Sequence, residues 1–327
     1  NALNLYFVYQ LVQFVNRTFQ PPKNKQGFLF WLCFALLTYR WLFLNLLYGQ
    51  MTILIVWGVV KAFDGVISGS LQRNLGLAFG VTLKILPIYM VGQLFLMRKW
   101  SAFGMAVLLS VLMVLLPYVY LPAAYHTEIL LSWLNNINPF SKNHIVELGE
   151  GGFIDMGALI TKYLTGLNIE GEARVDWFSM GEKGVFVTTQ IFRLIVLTSC
   201  WFWLVKFRKL AIQHWELLSM SVFLACIPLA FPHQRDYSLF MVWPLLVFML
   251  NDVVFHRKSL RGSTFYGLLL GAMLMGSVIF FEALPFDLRR DISGYRIQGI
   301  GGLIFLIFAQ GYLWAKSKGH RSDAAGV

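Results

Sequence analysis

The sequence predicts an all-α, polytopic integral membrane protein: a single transmembrane domain over residues 1–327 with about nine apolar helical segments. Three observations carry this. Of 327 residues, 57% are hydrophobic and only 13% charged, with a mean hydropathy of +0.63, more apolar side chain than a soluble core can hide. Several runs approach the roughly 20 apolar residues that cross a bilayer. The short alternating segments of a transmembrane barrel are absent from the sequence.

The net charge of +11 does not point to nucleic acid. Basic residues come in short clusters between apolar runs: Arg98-Lys99, Lys206 with Arg208-Lys209, and His256-Arg257-Lys258 with Arg261. That placement suits cytoplasmic anchors facing anionic lipid, so membrane lipids are the expected partner. Cys33, Cys200 and Cys226 lie in apolar segments without metal-ligand spacing, and neither a disulfide nor a metal site is expected.

In chain order, NALNLYFVYQLVQFV has neither Met nor a charged leader region. It reads as the end of a spanning helix over residues 1–16, and the chain as a fragment lacking its N-terminal part. Pro21 and Pro22 stop that helix in the positive loop NRTFQPPKNKQ. Residues 27–47 are apolar except for Arg40, and Gly49-Gln50 separates them from the next run, 51–63. A third run, 75–97, holds Lys84 three residues before Pro87, and a fourth covers 101–118.

From about Leu121 to Lys183 there are eight acidic residues against four basic, so 121–184 is expected as a loop insertion on the outer face. Five further runs cover 185–205, 212–231, 236–254, 263–283 and 298–315. No internal repeat or inverted symmetry is visible, which counts against a secondary transporter.

Placing the clusters at 206–209, 256–261 and 316–321 in the cytoplasm satisfies the positive-inside rule and puts the acidic loop and residues 233–236 outside. Arg98-Lys99 is then cytoplasmic and the 67–74 turn external. Two full crossings before that turn would leave the basic 17–26 loop outside, against the rule. Either that loop is an exception or a piece between 27 and 66 fails to cross. A broken or half-depth helix around Arg40 and Gly49-Gln50 fits the second option, because irregular backbone at membrane depth is tolerated where it lines a cavity.

The polar positions divide into bland and functional readings. A lysine well inside an apolar run costs about 2.5–3.5 kcal/mol on insertion scales, so Lys84 either faces a polar cavity or snorkels to an interface. Gln50 either caps a helix and bonds a neighbour or enters that cavity. FPHQRDYSLF, residues 231–240, packs His233, Arg235, Asp236 and Tyr237 between two spanning segments. An Arg-Asp pair at a helix end is as readily structural as functional. Beside a cavity holding Lys84, a phosphate or sugar ligand is the better reading, since guanidinium forks suit phosphate and carboxylates suit sugar hydroxyls. In the acidic loop, Asn143 and His144 are surface residues or ligand contacts. Glu147, Glu150 and Asp155 match no calcium-loop pattern. Aromatic residues, 16% of the chain, are chiefly belt and packing groups, with some near the outer face available to stack on sugar rings.

GQMTILIVWGVV followed by LGLAFGVTLKILPIYMVGQLFLMRKW resembles glycosyltransferase family 87, the polyprenyl-phosphate-mannose-dependent α-mannosyltransferases of the C-type superfamily. The family pattern is a Gly-Gln before one helix, then a small-residue helix leading to Ala-Leu-Lys-x-x-Pro and a basic pair with an aromatic. Gly49-Gln50, Leu83-Lys84, Pro87 and Arg98-Lys99-Trp100 fill those places. Two matches are weaker: Asn143-His144-Ile145 stands where the family has Asn-Gln-Ser, and Tyr237 stands where it tends to place His, after Pro232, Arg235 and Asp236.

The resemblance implies an inverting, metal-independent and cofactor-free transfer of a hexose, mannose above all, from a polyprenyl-phosphate donor to a lipid or glycan acceptor at the outer face. It implies a catalytic aspartate in a first outer loop, ahead of residue 1; within the chain Asp236 is the candidate. Lys84, Arg235 and Arg40 are then candidates for the phosphate side, and Asp236, His233, Asn143, His144, Gln50 and Tyr237 for sugar or acceptor contacts. The alternatives are a transporter or flippase for a lipid-linked or anionic substrate, and a membrane scaffold in which Lys84 and Arg235 share no cavity.

Overall fold

The computed structural model describes residues 1–70, 73–84, 87–137, 153–165, 180–210, 212, 214–255, 262–276, 284–285, 287–288 and 295–325. The helices are α1 (Ala2–Phe19), α2 (Lys25–Leu47), α3 (Thr52–Ser68), α4 (Asn74–Leu83), α5 (Ile88–Leu96) and α6 (Trp100–Leu115). There follow α7 (Ala123–Ile137), α8 (Met156–Leu164), α9 (Glu182–Leu210), α10 (Trp215–Ala230), α11 (Trp243–Phe255), α12 (Gly262–Gly276) and a C-terminal helix (Ile297–Ala325). A 3₁₀ helix, Asp236–Val242, leads into α11. Among the described residues no strand forms, only an isolated antiparallel bridge between Phe153 and Arg235. Five helical stretches there are long and apolar enough to cross a membrane, with shorter apolar helices beside them. The protein is an all-α, multi-pass integral membrane protein.

Unbroken apolar runs bounded by polar punctuation make these elements. The Asn24 side chain caps α2 by accepting from the backbone N–H groups of Gln26 and Gly27, replacing partners the first turn lacks. Gly49, at φ +61°, makes the tight turn from α2 to α3, a conformation glycine adopts without steric cost. The spanning stretch Asp236–Phe255 is 78% buried inside the protein and lies at its centre. The stretch Trp100–Val119 is only 11% buried, and α6 turns Leu108, Val111, Leu112 and Leu115 outward, as lipid-facing residues must.

Ion pairs mark one end of the bundle. There Asp64 accepts from Arg17 at 2.7 Å and also pairs with Arg73, Lys99 approaches Glu216 at 3.6 Å, and Lys316 reaches Asp252 at 2.5 Å. This basic end gathers the last turns of α1, α3 and α11 and the first turns of α4 and α10. Arg40 and Asp236 pair at the opposite end.

Between the ends, residues 74–97 do not cross. The helix α4 runs antiparallel to α3, so close that a Cβ on Gly58 or Gly76 would collide with the other's backbone, and Gly80 packs against Ile55. It stops at Lys84, whose backbone is extended. Pro87, with no N–H to offer the preceding turn, starts α5. Tyr89 then packs on Phe231, at the far end of α10, with ring centroids 4.3 Å apart, while Lys99 meets Glu216 in the first turn of the same helix. The segment therefore rises from the basic end, turns at Lys84–Pro87 and returns. Ten residues of α4 reach about 15 Å, half the roughly 30 Å hydrocarbon core.

This corrects two expectations. The helix α2 continues unbroken through Arg40 to Leu47, so the interruption lies in the third apolar run, 75–97, not around Arg40 and Gly49-Gln50. The 67–74 turn is not opposite the basic 17–26 loop: Asp64 accepts from both Arg17 and Arg73 at a single end. A hairpin that returns to its starting end removes the conflict in the charge count. Within 121–184, the described residues form α7 and α8.

Candidate functional site

The 3₁₀ helix after α10 anchors a polar cluster at the end opposite the ion pairs. Arg40 comes from the second half of α2, is 7% exposed, and donates from a terminal guanidinium nitrogen to Asp236 Oδ2 at 3.1 Å. Five residues on, the fully buried Asn45 donates to the carbonyls of Trp41 at 2.7 Å and Tyr237 at 2.9 Å. The α2 helix thus holds the turn by both an ion pair and an amide.

Gln50 joins through Asn45. Its backbone N–H donates to the Asn45 carbonyl at 2.9 Å, and its own carbonyl accepts from Asn4 Nδ2 at 3.0 Å. Its side-chain amide reaches the Tyr48 carbonyl at 3.5 Å, so in this conformation it shapes the α2–α3 turn.

Lys84 enters from the tip of the α4–α5 hairpin. Its ammonium donates to Gln234 Oε1 at 3.4 Å and lies 5.6 Å from the centroid of the Tyr237 ring. Gln234, 2% exposed, is fixed in turn: Nε2 donates to the Pro232 carbonyl at 2.9 Å, and its backbone carbonyl accepts from Ile154 N at 2.8 Å. Among the described residues no carboxylate pairs with Lys84. Its partners there are a neutral amide and an aromatic face.

The segment before α8 closes the cluster. Phe153 stacks edge-on against His233, with centroids 5.5 Å apart, and carries the Arg235 guanidinium 5.5 Å from its ring centroid. Arg296 donates to the Phe153 carbonyl at 2.6 Å. Asp155, buried, caps α8 by accepting from Ala158 N. His233 has a left-handed backbone, φ +58°, in the sharp turn. Although its ring is partly exposed, protein crowding pushes its imidazole below the ordinary histidine value, against the opposing pull of the Asp155 charge.

Seven of the nine residues picked out from sequence therefore meet in one region: Arg40, Gln50, Lys84, His233, Arg235, Asp236 and Tyr237. Asn143 and His144 lie outside the described residues, as do Glu147 and Glu150. Among the described residues, no three His, Cys, Asp or Glu side chains stand close enough to share an ion.

Sequence reasoning passed over four contributors: Asn45, Phe153, Arg193 and Gln234. For Arg193 the signal was present, a cation inside the apolar run of α9. Its Nε donates to the Ala230 carbonyl at 2.6 Å, at the end of α10 where helix carbonyls lack internal partners. Gln234 gave no signal, because a glutamine in a polar turn looks like surface until the fold buries it.

Buried spanning helices around a concentrated polar cluster define a class, multi-pass membrane proteins that handle polar chemistry at one end of the bundle. Within that class, residues 1–232 match glycosyltransferase family 87, and the chain belongs to this family. It is a membrane glycosyltransferase. No curated protein and no solved structure matches it. The matched stretch includes Arg40, Gln50 and Lys84 and stops one residue before His233.

Proposed function

We propose that the protein transfers a hexose, mannose in the first instance, from a polyprenyl-phosphate donor to a lipid or glycan acceptor on the outer face of the membrane. The observation that carries this reading is Lys84. It is a cation carried at the tip of a hairpin that leaves and re-enters the basic end, facing an amide and a phenol ring. A cation placed there without a neutralising carboxylate among the described residues suits an anionic group arriving from the lipid phase, and a lipid-linked sugar phosphate is such a group.

In the proposed transfer the acceptor oxygen attacks the anomeric carbon from the face opposite the phosphate. The bond from that carbon to the phosphate oxygen breaks, and its electron pair leaves with the phosphate. Lys84, assisted by Arg235, stabilises the charge that builds up on that oxygen. Preorganised donors of this kind act most strongly where water is excluded. A carboxylate takes the acceptor's hydroxyl proton. Asp236 is engaged by Arg40, so we assign it to holding the turn, which leaves the proton to another carboxylate. His233, Tyr237, Gln50, Asn143 and His144 are the proposed sugar and acceptor contacts.

The outward orientation is supported by the charge distribution. Arg98-Lys99, Lys206, Arg208-Lys209 and Lys316 gather at the end opposite Lys84, where cytoplasmic anchors belong. The transporter alternative has no comparable support, since family membership speaks for transfer chemistry.

The test is transfer by the full-length protein in lipid vesicles supplied with radiolabelled polyprenyl-phosphate mannose and, separately, glucose. Label should move to a membrane acceptor, and Lys84→Ala should slow that by about 10²–10³-fold while leaving thermal unfolding almost unchanged. Folded protein that moves no label from either donor, or that works undiminished as Lys84→Ala, overturns the reading.

A further inference from the structure

At the basic end, α9 and the C-terminal helix part to leave a cavity of about 600 Å³ that transfer chemistry at Lys84 does not use. Lys206, Lys209 and Lys318 converge on it beside Trp201, Phe202 and Trp314. Among the described residues no acidic side chain lines it.

The cavity is built. Gln310 ties its two walls together, accepting from Ser199 Oγ at 3.0 Å and Trp203 Nε1 at 2.5 Å. The Lys206 ammonium sits 3.8 Å from the Trp314 ring centroid and 4.9 Å from that of Trp203, and Lys318 approaches Trp314 at 5.5 Å. Aromatic faces thus orient these cations towards one volume.

We propose that this cavity binds the phosphate headgroup of an anionic bilayer phospholipid in the leaflet at the basic end. Charge complementarity supplies the first reason, since basic recesses between membrane helices at such an end attract anionic headgroups. The second reason separates a lipid from a soluble phosphate. Trp201, Phe202 and Trp314 are each about half exposed on the outer surface of the bundle, where rings at headgroup level meet acyl chains. A free phosphate has no use for that apolar rim. The site stands apart from the donor and acceptor proposed above, and it holds whichever sugar is transferred.

The experiment uses the full chain in nanodiscs of phosphatidylcholine containing graded phosphatidylglycerol, with retained lipid counted by native mass spectrometry after release. The wild type should keep phosphatidylglycerol in preference to phosphatidylcholine. Replacing Lys206, Lys209 and Lys318 together by Gln should cut that preference on the order of 10- to 100-fold, as loss of three lysines near an anionic surface predicts. Changing Lys23 and Lys25, basic residues outside the cavity, should leave it intact. If the triple variant is poorly folded, Lys318→Gln and Trp314→Leu alone should each lower the preference several-fold. A preference that survives the lysine changes overturns the proposal. So does one erased equally by glycerol phosphate, or one exceeded by polyprenyl phosphate, which would make the cavity a soluble-anion site or a second donor site.

Discussion

Two charged clusters, one at each end of this bundle, treat charge in opposite ways. At the basic end, Arg17 and Arg73 share Asp64, Lys99 faces Glu216, and Lys316 meets Asp252 beside the Tyr312 hydroxyl. Every cation in that list is matched by a carboxylate, and every pair ties two helices. At the other end Arg40 is matched so by Asp236, while Lys84 rests on Gln234 and the Tyr237 ring, with no carboxylate paired to it among the described residues. The contrast separates charge used for fastening from charge kept available. Lys84 gives little to the fold, so its presence in an apolar run calls for a ligand.

That contrast can be broken by substitution. The largest effect on stability belongs to the pair that fastens the site end. Asp236→Ala should cost about 3–5 kcal/mol, because it takes the carboxylate away from Arg40, which is only 7% exposed, and Arg40→Ala should cost less, since Asp236 is 24% exposed. Unfolding in detergent should show the double change costing clearly less than the sum of the two. Lys84→Ala should leave unfolding almost untouched and reduce sugar transfer by about 10²–10³-fold, the effect of deleting one preorganised donor to a developing oxyanion. If it destabilises like Arg40→Ala while transfer per folded molecule is unchanged, Lys84 is a fastener and the distinction between the ends fails.

Gly58→Ala should cost about 1–3 kcal/mol, since the new methyl forces α3 and α4 apart. By lowering the hairpin's support it should also reduce transfer, a coupling that Lys84→Ala lacks. The smallest effect belongs to Arg17→Ala, under about 1 kcal/mol. Arg17 is 56% exposed, and Asp64 keeps Arg73 as a partner.

What the sequence reveals follows from how costly each residue is where it stands. Lys84 and Arg40 are legible because a cation in an apolar run needs a reason. By the same rule Arg193 was open to detection. Neutral amides break no such rule: Asn45 and Gln234 become informative only once burial is known. The course of residues 74–97 was hidden for another reason. An apolar run of that length has the same composition whether it crosses or rises and returns, and the positive charges at 17–26 register only that some segment does not cross. The segment was found by the partners of Asp64 and Glu216, contacts distant in sequence.

The α4–α5 hairpin has a consequence for the architecture as a whole. Because it leaves and re-enters the same end of the bundle, it adds nothing to the parity of the crossings. Lengthening it, shortening it or deleting its tip, where Lys84 sits, inverts no helix that follows. The depth at which that charge is presented is thus a quantity the chain can adjust by single turns of α4, about 5.4 Å at a time, without redrawing the rest of the map.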